Sequence, residues 1–180
     1  MPASGACAHD ERVLIQGGPA IETRGALTRI SRCGEAVWGR SIAGAVTRLR
    51  HSTDQRELER IWRATGWLRD AQLFSASLAI ARDRSASTPS RLYALRALLI
   101  VGRPDLAPNV EEMTAPTDRR SRAQGGCHFA RRIGEPPYHG APMPSDARAQ
   151  VLSIASKLQN DQREPAAVKA AAICVAEQLR

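Results

Sequence analysis

Two stretches decide how this chain is read: LAIARDRSASTPSRLYALRALLIV, Leu78 to Val101, and IASKLQNDQREPAAVKAAAICVAEQL, Ile154 to Leu179. They share a layout. A helix ends on a charged residue near an aspartate, Asp83 in one and Asp161 in the other. A short polar loop follows, then a proline, Pro89 or Pro165, and three residues on an apolar side chain, Leu92 or Val168. An Ala/Leu-rich helix closes each stretch. Proline is tolerated in the first turn of a helix, where its missing N–H would have had no partner. A helical hairpin of this size cannot hide its apolar face alone, so two copies point to hairpins stacked on one another.

The surrounding composition agrees. Of 180 residues, 30 are alanine and 15 leucine, while Phe, Trp and Tyr together supply seven. Alanine and leucine lose little freedom in a helix. Strands would want more β-branched and aromatic side chains. Working outward, Val37, Trp38, Ile42, Ala45, Val46 and Leu49 recur at helical spacing, with Gly39 and Gly44 as costly interior residues. Asp54 reads as an N-cap, with Glu57 placed to complete a capping box. Leu58, Ile61, Trp62, Thr65 and Leu68 mark the next inner face, and Gly66 its end. A third helix is expected over Asp70 to Arg82. A fourth begins at Thr88 as N-cap with Pro89 first in the helix, turns Leu92, Leu95, Leu98 and Leu99 inward, and stops at Gly102 and Pro104. Ser145 reads as the cap of a helix carrying Val151, Leu152, Ile154, Ala155 and Leu158. Pro165 opens the last helix, with Val168, Ala171, Ala172, Val175 and Leu179 inward.

Two regions break the pattern. Residues 1–35 carry only a short apolar run, Val13 to Ile15, ended by Gly17-Gly18-Pro19, and are expected to be weakly ordered. Residues 103–144 hold seven of the 11 prolines and four glycines, a density no long helix survives. They read as an insertion, with short pieces of order around Val110–Met113 and Cys127–Ile133. The expected organisation is therefore a weak N-terminal segment (1–35), helical hairpins (36–102), a Pro/Gly/Arg-rich insertion (103–144) and a C-terminal hairpin (145–180).

The hairpin layout resembles HEAT-like or armadillo-like helical repeats over about 60 residues around Leu78–Val101 and Ile154–Leu179, and the Asp54 to Asp83 region follows it loosely. In those families an aspartate and a proline sit in the turn, and a basic residue early in the second helix braces the stack. Arg91 and Lys169 hold comparable places, although their offsets from the proline differ. The two repeats are also separated by the insertion. The resemblance implies an all-α fold of stacked antiparallel hairpins, an αα-superhelix with a long inserted segment. It further implies a non-catalytic scaffold whose inner helices bind another protein. Some HEAT-like proteins are similar to DNA-repair glycosylases, so a basic nucleic-acid-binding protein, even an enzyme of that type, is the competing expectation. That family's catalytic acid and aromatics cannot be placed on this chain.

Charge bears on the choice. The net charge of +8 comes from 24 arginines against two lysines, spread evenly along the chain. Guanidinium groups bind phosphate and carboxylate in bidentate fashion, but Arg and Ala richness also follows from a G+C-rich genome. The densest cluster is Arg119, Arg120, Arg122, Arg131 and Arg132, in the insertion. It suits phosphates or an acidic partner, or is simply a solvated charge run. Phe129 and Tyr138 are too few for a base-stacking platform.

Chemistry-bearing motifs are sparse. Cys127-His128 with His139, and Cys7 with His9, lack the paired short spacings of a structural zinc site. A Cys127–His139 nucleophile pair has nothing to orient it. The sequence contains no phosphate-binding Gly-rich loop, no dinucleotide fingerprint and no zinc-protease motif. No metal, cofactor or catalytic residue is expected. Trp38, Trp62 and Trp67 read as core. Cys7, Cys33, Cys127 and Cys174 show no C-x-x-C pair, and Met1 to Gly18 is too charged for a secretion signal. The thiols are therefore expected reduced, Cys174 packing as a small apolar residue, in a cytoplasmic protein. No apolar run reaches the ~20 residues that cross a bilayer.

Overall fold

The computed structural model describes residues 5–65, 68–103, 106, 109–115 and 144–180. Among these it is all-helical. The helices are α1 (Gly5–Gln16), α2 (Ala20–Ile30), α3 (Glu35–Arg48), α4 (Gln55–Thr65), α5 (Ala71–Arg82), α6 (Thr88–Gly102), α7 (Val110–Thr114), α8 (Ala147–Asn160) and α9 (Ala166–Leu179). Short 3₁₀ turns follow α2 and α3.

Consecutive helices pair: α1 with α2, α3 with α4, α5 with α6, α8 with α9. The pairs then pack side by side in two rows. One row runs α1, α3, α5, α8, and the other α2, α4, α6, α9, with each helix touching the next in its row. Short α7 rests on α9 and α6. Helix α6 lies in the middle and has no exposed residue. Leu92, Leu95, Leu98 and Leu99 are buried as expected, but so are Ser90, Arg91, Ala94, Ala97 and Ile100. Only Thr88, Pro89, Tyr93, Arg96, Val101 and Gly102 keep partial exposure, so a one-sided apolar stripe underestimates the helix's burial.

Helix starts differ in detail from the sequence reading. Helix α6 is capped by Ser87, whose hydroxyl accepts from the Ser90 N–H at 3.3 Å, so Thr88 is the first helical residue and Pro89 the second. Pro165 is itself the cap of α9. The two prolines are thus not equivalent. The cap position of α8 falls at Asp146 rather than Ser145, with no side-chain bond to the first helical N–H groups. Asp54 accepts from the Arg56 and Glu57 N–H groups, but Glu57 pairs with Arg48 at 3.2 Å instead of closing a capping box. At α5 the cap falls at Asp70, whose Oδ1 takes the N–H groups of Gln72 and Leu73 at 2.8 and 3.0 Å.

The N-terminal segment departs most from expectation. Residues 5–30 are not weakly ordered: α1 and α2 form a full helix pair burying Val13, Leu14, Ala26 and Ile30. Gly17, at φ 88°, makes the left-handed turn that ends α1. Gly44 explains the docking. A Cβ there would lie 2.6 Å from Ile15 Cγ1, so the glycine lets α1 lie close against α3. The thiol expectation is also corrected. Cys7 and Cys33 form a disulfide, and Cys174 is disulfide-bonded too.

Most of 103–144 lies outside the described residues, including Cys127–Ile133. Val110–Met113 falls within α7, as expected. Trp62 is fully buried and Trp38 is partly buried against the core, whereas Trp67 lies outside the description. No described helix is long and apolar enough to cross a membrane.

Candidate binding surface

The turns between paired helices form one continuous feature. In the α5–α6 turn, Asp83 Oδ1 accepts from the Ser85 N–H at 2.8 Å, and its carbonyl accepts from the Ala86 N–H at 3.1 Å. In the α8–α9 turn, Asp161 does the same with Arg163 at 3.0 Å and Glu164 at 3.2 Å. Aligning the hairpins on these aspartates places Ser87 against Pro165 and Arg91 against Lys169. The basic residues that seemed offset when counted from the prolines thus share one register counted from the turn.

Neighbouring turns are tied together. Arg50, after α3, bonds Asp83, and Arg84 bonds Asp161 and reaches Glu164 at 3.3 Å. The Ser87 N–H donates to the Arg50 carbonyl at 2.8 Å, and the Ser87 hydroxyl to the Ser52 carbonyl at 2.5 Å. Buried Arg91 donates through Nε and Nη2 to the Ala81 carbonyl, closing the end of α5, and its Nη1 lies 2.6 Å from Glu164 Oε2. Burial pushes the Glu164 carboxyl up, but Arg91 and Arg84 together outweigh it and hold the group below its ordinary value. Asp83 is lowered to about 2, first by its bonds from the Ser85 hydroxyl and N–H, then by Arg50. Guanidinium groups at helix ends also satisfy open carbonyls elsewhere. Arg148 Nε donates to Leu179 at 2.8 Å, and Arg103 Nη1 to Gln178 at 3.1 Å.

The opposite kind of feature sits on the row of second helices. A cleft of about 320 Å³ opens between α4, α6 and α7, lined by Glu59, Arg63, Tyr93, Arg96, Glu111 and Glu112, with Asn109 and Val110 at its edge. Tyr93 stacks on buried Trp62, with ring centroids 6.4 Å apart and planes 12° from parallel. The indole thus packs against the phenol ring in an offset parallel arrangement. Glu59 and Arg63 face each other one turn apart on α4, at 2.5 Å. Helix α7 is held by a reciprocal cap: the Glu112 N–H donates to Asn109 Oδ1, and the Asn109 N–H to Glu112 Oε2, both at 2.8 Å. Glu111 is left exposed beside the cleft.

The Tyr93 hydroxyl is pushed up by burial, then by the charges of Glu59 and Glu111, which Arg96 and Arg63 only partly offset. Three carboxylates, Glu59, Glu111 and Glu112, and two guanidinium groups, Arg63 and Arg96, thus line the cleft beside the aromatic ring. Such a lining suits an ammonium or guanidinium group through both the carboxylates and the ring.

The basic cluster Arg119, Arg120, Arg122, Arg131 and Arg132 lies outside the described residues, as do Cys127, His128 and His139. Cys7 is committed to its disulfide and so does not remain beside His9 as a thiolate ligand. Sequence reasoning did not single out Tyr93, Arg96, Glu59 or Glu111. Their signal was weak: Tyr93 and Arg96 are two polar-tipped residues three apart in an apolar helix, and the acids come from other helices. No family model, curated protein or solved structure matches the chain.

Proposed function

We propose that this chain is a non-catalytic protein–protein interaction scaffold of HEAT-like repeat type, with the cleft around Tyr93 as its binding surface. The partner is a polypeptide segment that seats a lysine or arginine side chain over Tyr93 beside exposed Glu111, with Glu59 held by Arg63 at the other wall. The observation that carries this is the cleft itself: an aromatic face packed on Trp62, with carboxylates from two helices, on the row of second helices. The stacked pairs and the shared register of Arg91 and Lys169 support the repeat reading. The turn contacts, by contrast, use their charged groups on one another and leave them occupied with structure.

The competing reading, a basic nucleic-acid-binding protein, draws less support. Arg29, Arg40, Arg48, Arg50, Arg63, Arg84, Arg91 and Arg163 are all paired with carboxylates of the chain itself. A photo-cross-linking residue at position 111 of the full chain tests the proposal. It should capture a specific protein in cells. Binding of that purified protein should then weaken about tenfold or more in Tyr93→Ala and in Glu111→Lys. Unchanged affinity in both variants removes the cleft as the site. Duplex DNA bound at low ionic strength and lost steeply with salt, in place of protein capture, would favour the competing reading.

A further inference from the structure

The first helix pair buries few side chains of its own. Helix α1 buries only Asp10, Val13 and Leu14, and α2 only Thr23, Ala26 and Ile30. Ile21 is 80% exposed and Ile15 38%. The turn Gly17-Gly18-Pro19 joins the pair at one end. At the other end, Cys7 in the first turn of α1 meets Cys33 in the 3₁₀ turn after α2, with Cα atoms 5.7 Å apart across 26 residues of sequence. One turn further in, Asp10 pairs with Arg29 at 2.6 Å, the carboxylate almost wholly buried. The pair is thus closed at both ends, by a loop and by a covalent bridge. Small elements with too little apolar contact rely on such staples. Cys174, inside α9 and fully buried, is oxidised as well.

From these contacts we infer that the chain matures in an oxidising compartment, where a thiol–disulfide oxidant closes Cys7 to Cys33 and so clamps α1 to the end of α2. Glutathione-buffered interiors keep such thiols reduced, so a bridge that holds a fold element indicates the other redox environment. The chemistry balances. One cysteine thiolate attacks the oxidant's disulfide and forms a mixed disulfide. The second thiolate then displaces the oxidant's sulfur. Two thiols lose two protons and two electrons, and the oxidant leaves as a dithiol. An oxidising compartment stands against the cytoplasmic expectation, which rested on the charged Met1 to Gly18 segment and took the thiols as reduced from it.

Trapping settles the compartment. Cells of the native source are quenched in alkylating reagent before lysis, and the full chain is mapped without reductant. A Cys7–Cys33 cross-linked peptide free of alkylation is expected. Alkylated Cys7 and Cys33 in the trapped protein overturn the inference. The clamp is tested separately by limited proteolysis of the full chain, oxidised and reduced, read as cleavage after Arg12 and Arg24. Reduction should speed these cleavages at least tenfold. The double variant Cys7→Ser, Cys33→Ser should match the reduced protein. Equal rates in the oxidised and reduced chains overturn the clamp.

Discussion

Gly39 shows how one missing side chain can position a helix. A Cβ at this place would stand 2.2 Å from Asp70 Oδ2, inside any contact a real atom tolerates. Asp70 is the cap of α5 and is buried against α3. Glycine in a helix costs about 1 kcal/mol relative to alanine, and here that cost is accepted so that α3 and the start of α5 can meet. Gly39→Ala should therefore destabilise the protein, by about 1–3 kcal/mol in denaturant unfolding. Gly5→Ala, where nothing lies within 4 Å, is the control and should not. A neutral Gly39→Ala would mean that the two helices do not pack this closely. In the sequence Gly39 reads as a defect. Its use becomes visible only with Asp70 in place, 31 positions away.

Helices α6 and α9 begin alike in space and differently in sequence. Ser87 and Pro165 occupy the same capping backbone, with φ −62° and ψ 146° for one and −55° and 144° for the other. Serine adds a side-chain bond there. Proline supplies only the preset φ. Ser87→Ala should cost about 1 kcal/mol, more than Thr88→Ala, in equilibrium unfolding. The reverse order would return the cap to Thr88. Most elements were legible from periodicity: α3, α4, α5, α6, α8 and α9 all lie where apolar spacing and punctuation place them. Their exact starts were not, because Ser87, Thr88 and Pro89 all satisfy a first-turn rule and only geometry chooses among them. Helices α1 and α2 were missed for a different reason. Their apolar stripe is short, and its partners, α3 and the disulfide, are remote in sequence.

At the scale of the whole molecule, the turn carboxylates link stability to pH, Asp83 chiefly through its own turn's Ser85 and Glu164 through Arg91 and Arg84. Asp83 and Glu164 both sit below their ordinary values when folded. Their contribution is fully present above the unfolded carboxylate range and fades as pH falls through the folded values, for Asp83 from about 4 toward about 2. Thermal unfolding followed from pH 6 to pH 2 should show the melting temperature dropping across this window. Glu164→Gln should be less stable at pH 6, with a shallower drop. A melting temperature flat to pH 3 would show that these ties carry no stability. The cleft also belongs to this scale, since Glu59, Tyr93 and Glu111 come from three helices. None forms a motif with the others along the chain. The five-arginine cluster, so conspicuous in the sequence, lies outside the described residues.

By itself, the sequence determined the class of structure and its unit: alanine and leucine at helical spacing make helices, and turn aspartates with capped second helices make hairpins. These are local effects, decided within a few residues of chain. Only the tertiary structure decided which faces meet, which cysteines pair, and where an aromatic face and distant carboxylates converge. Those outcomes depend on contacts between residues tens of positions apart, and short-range periodicity carries no record of them.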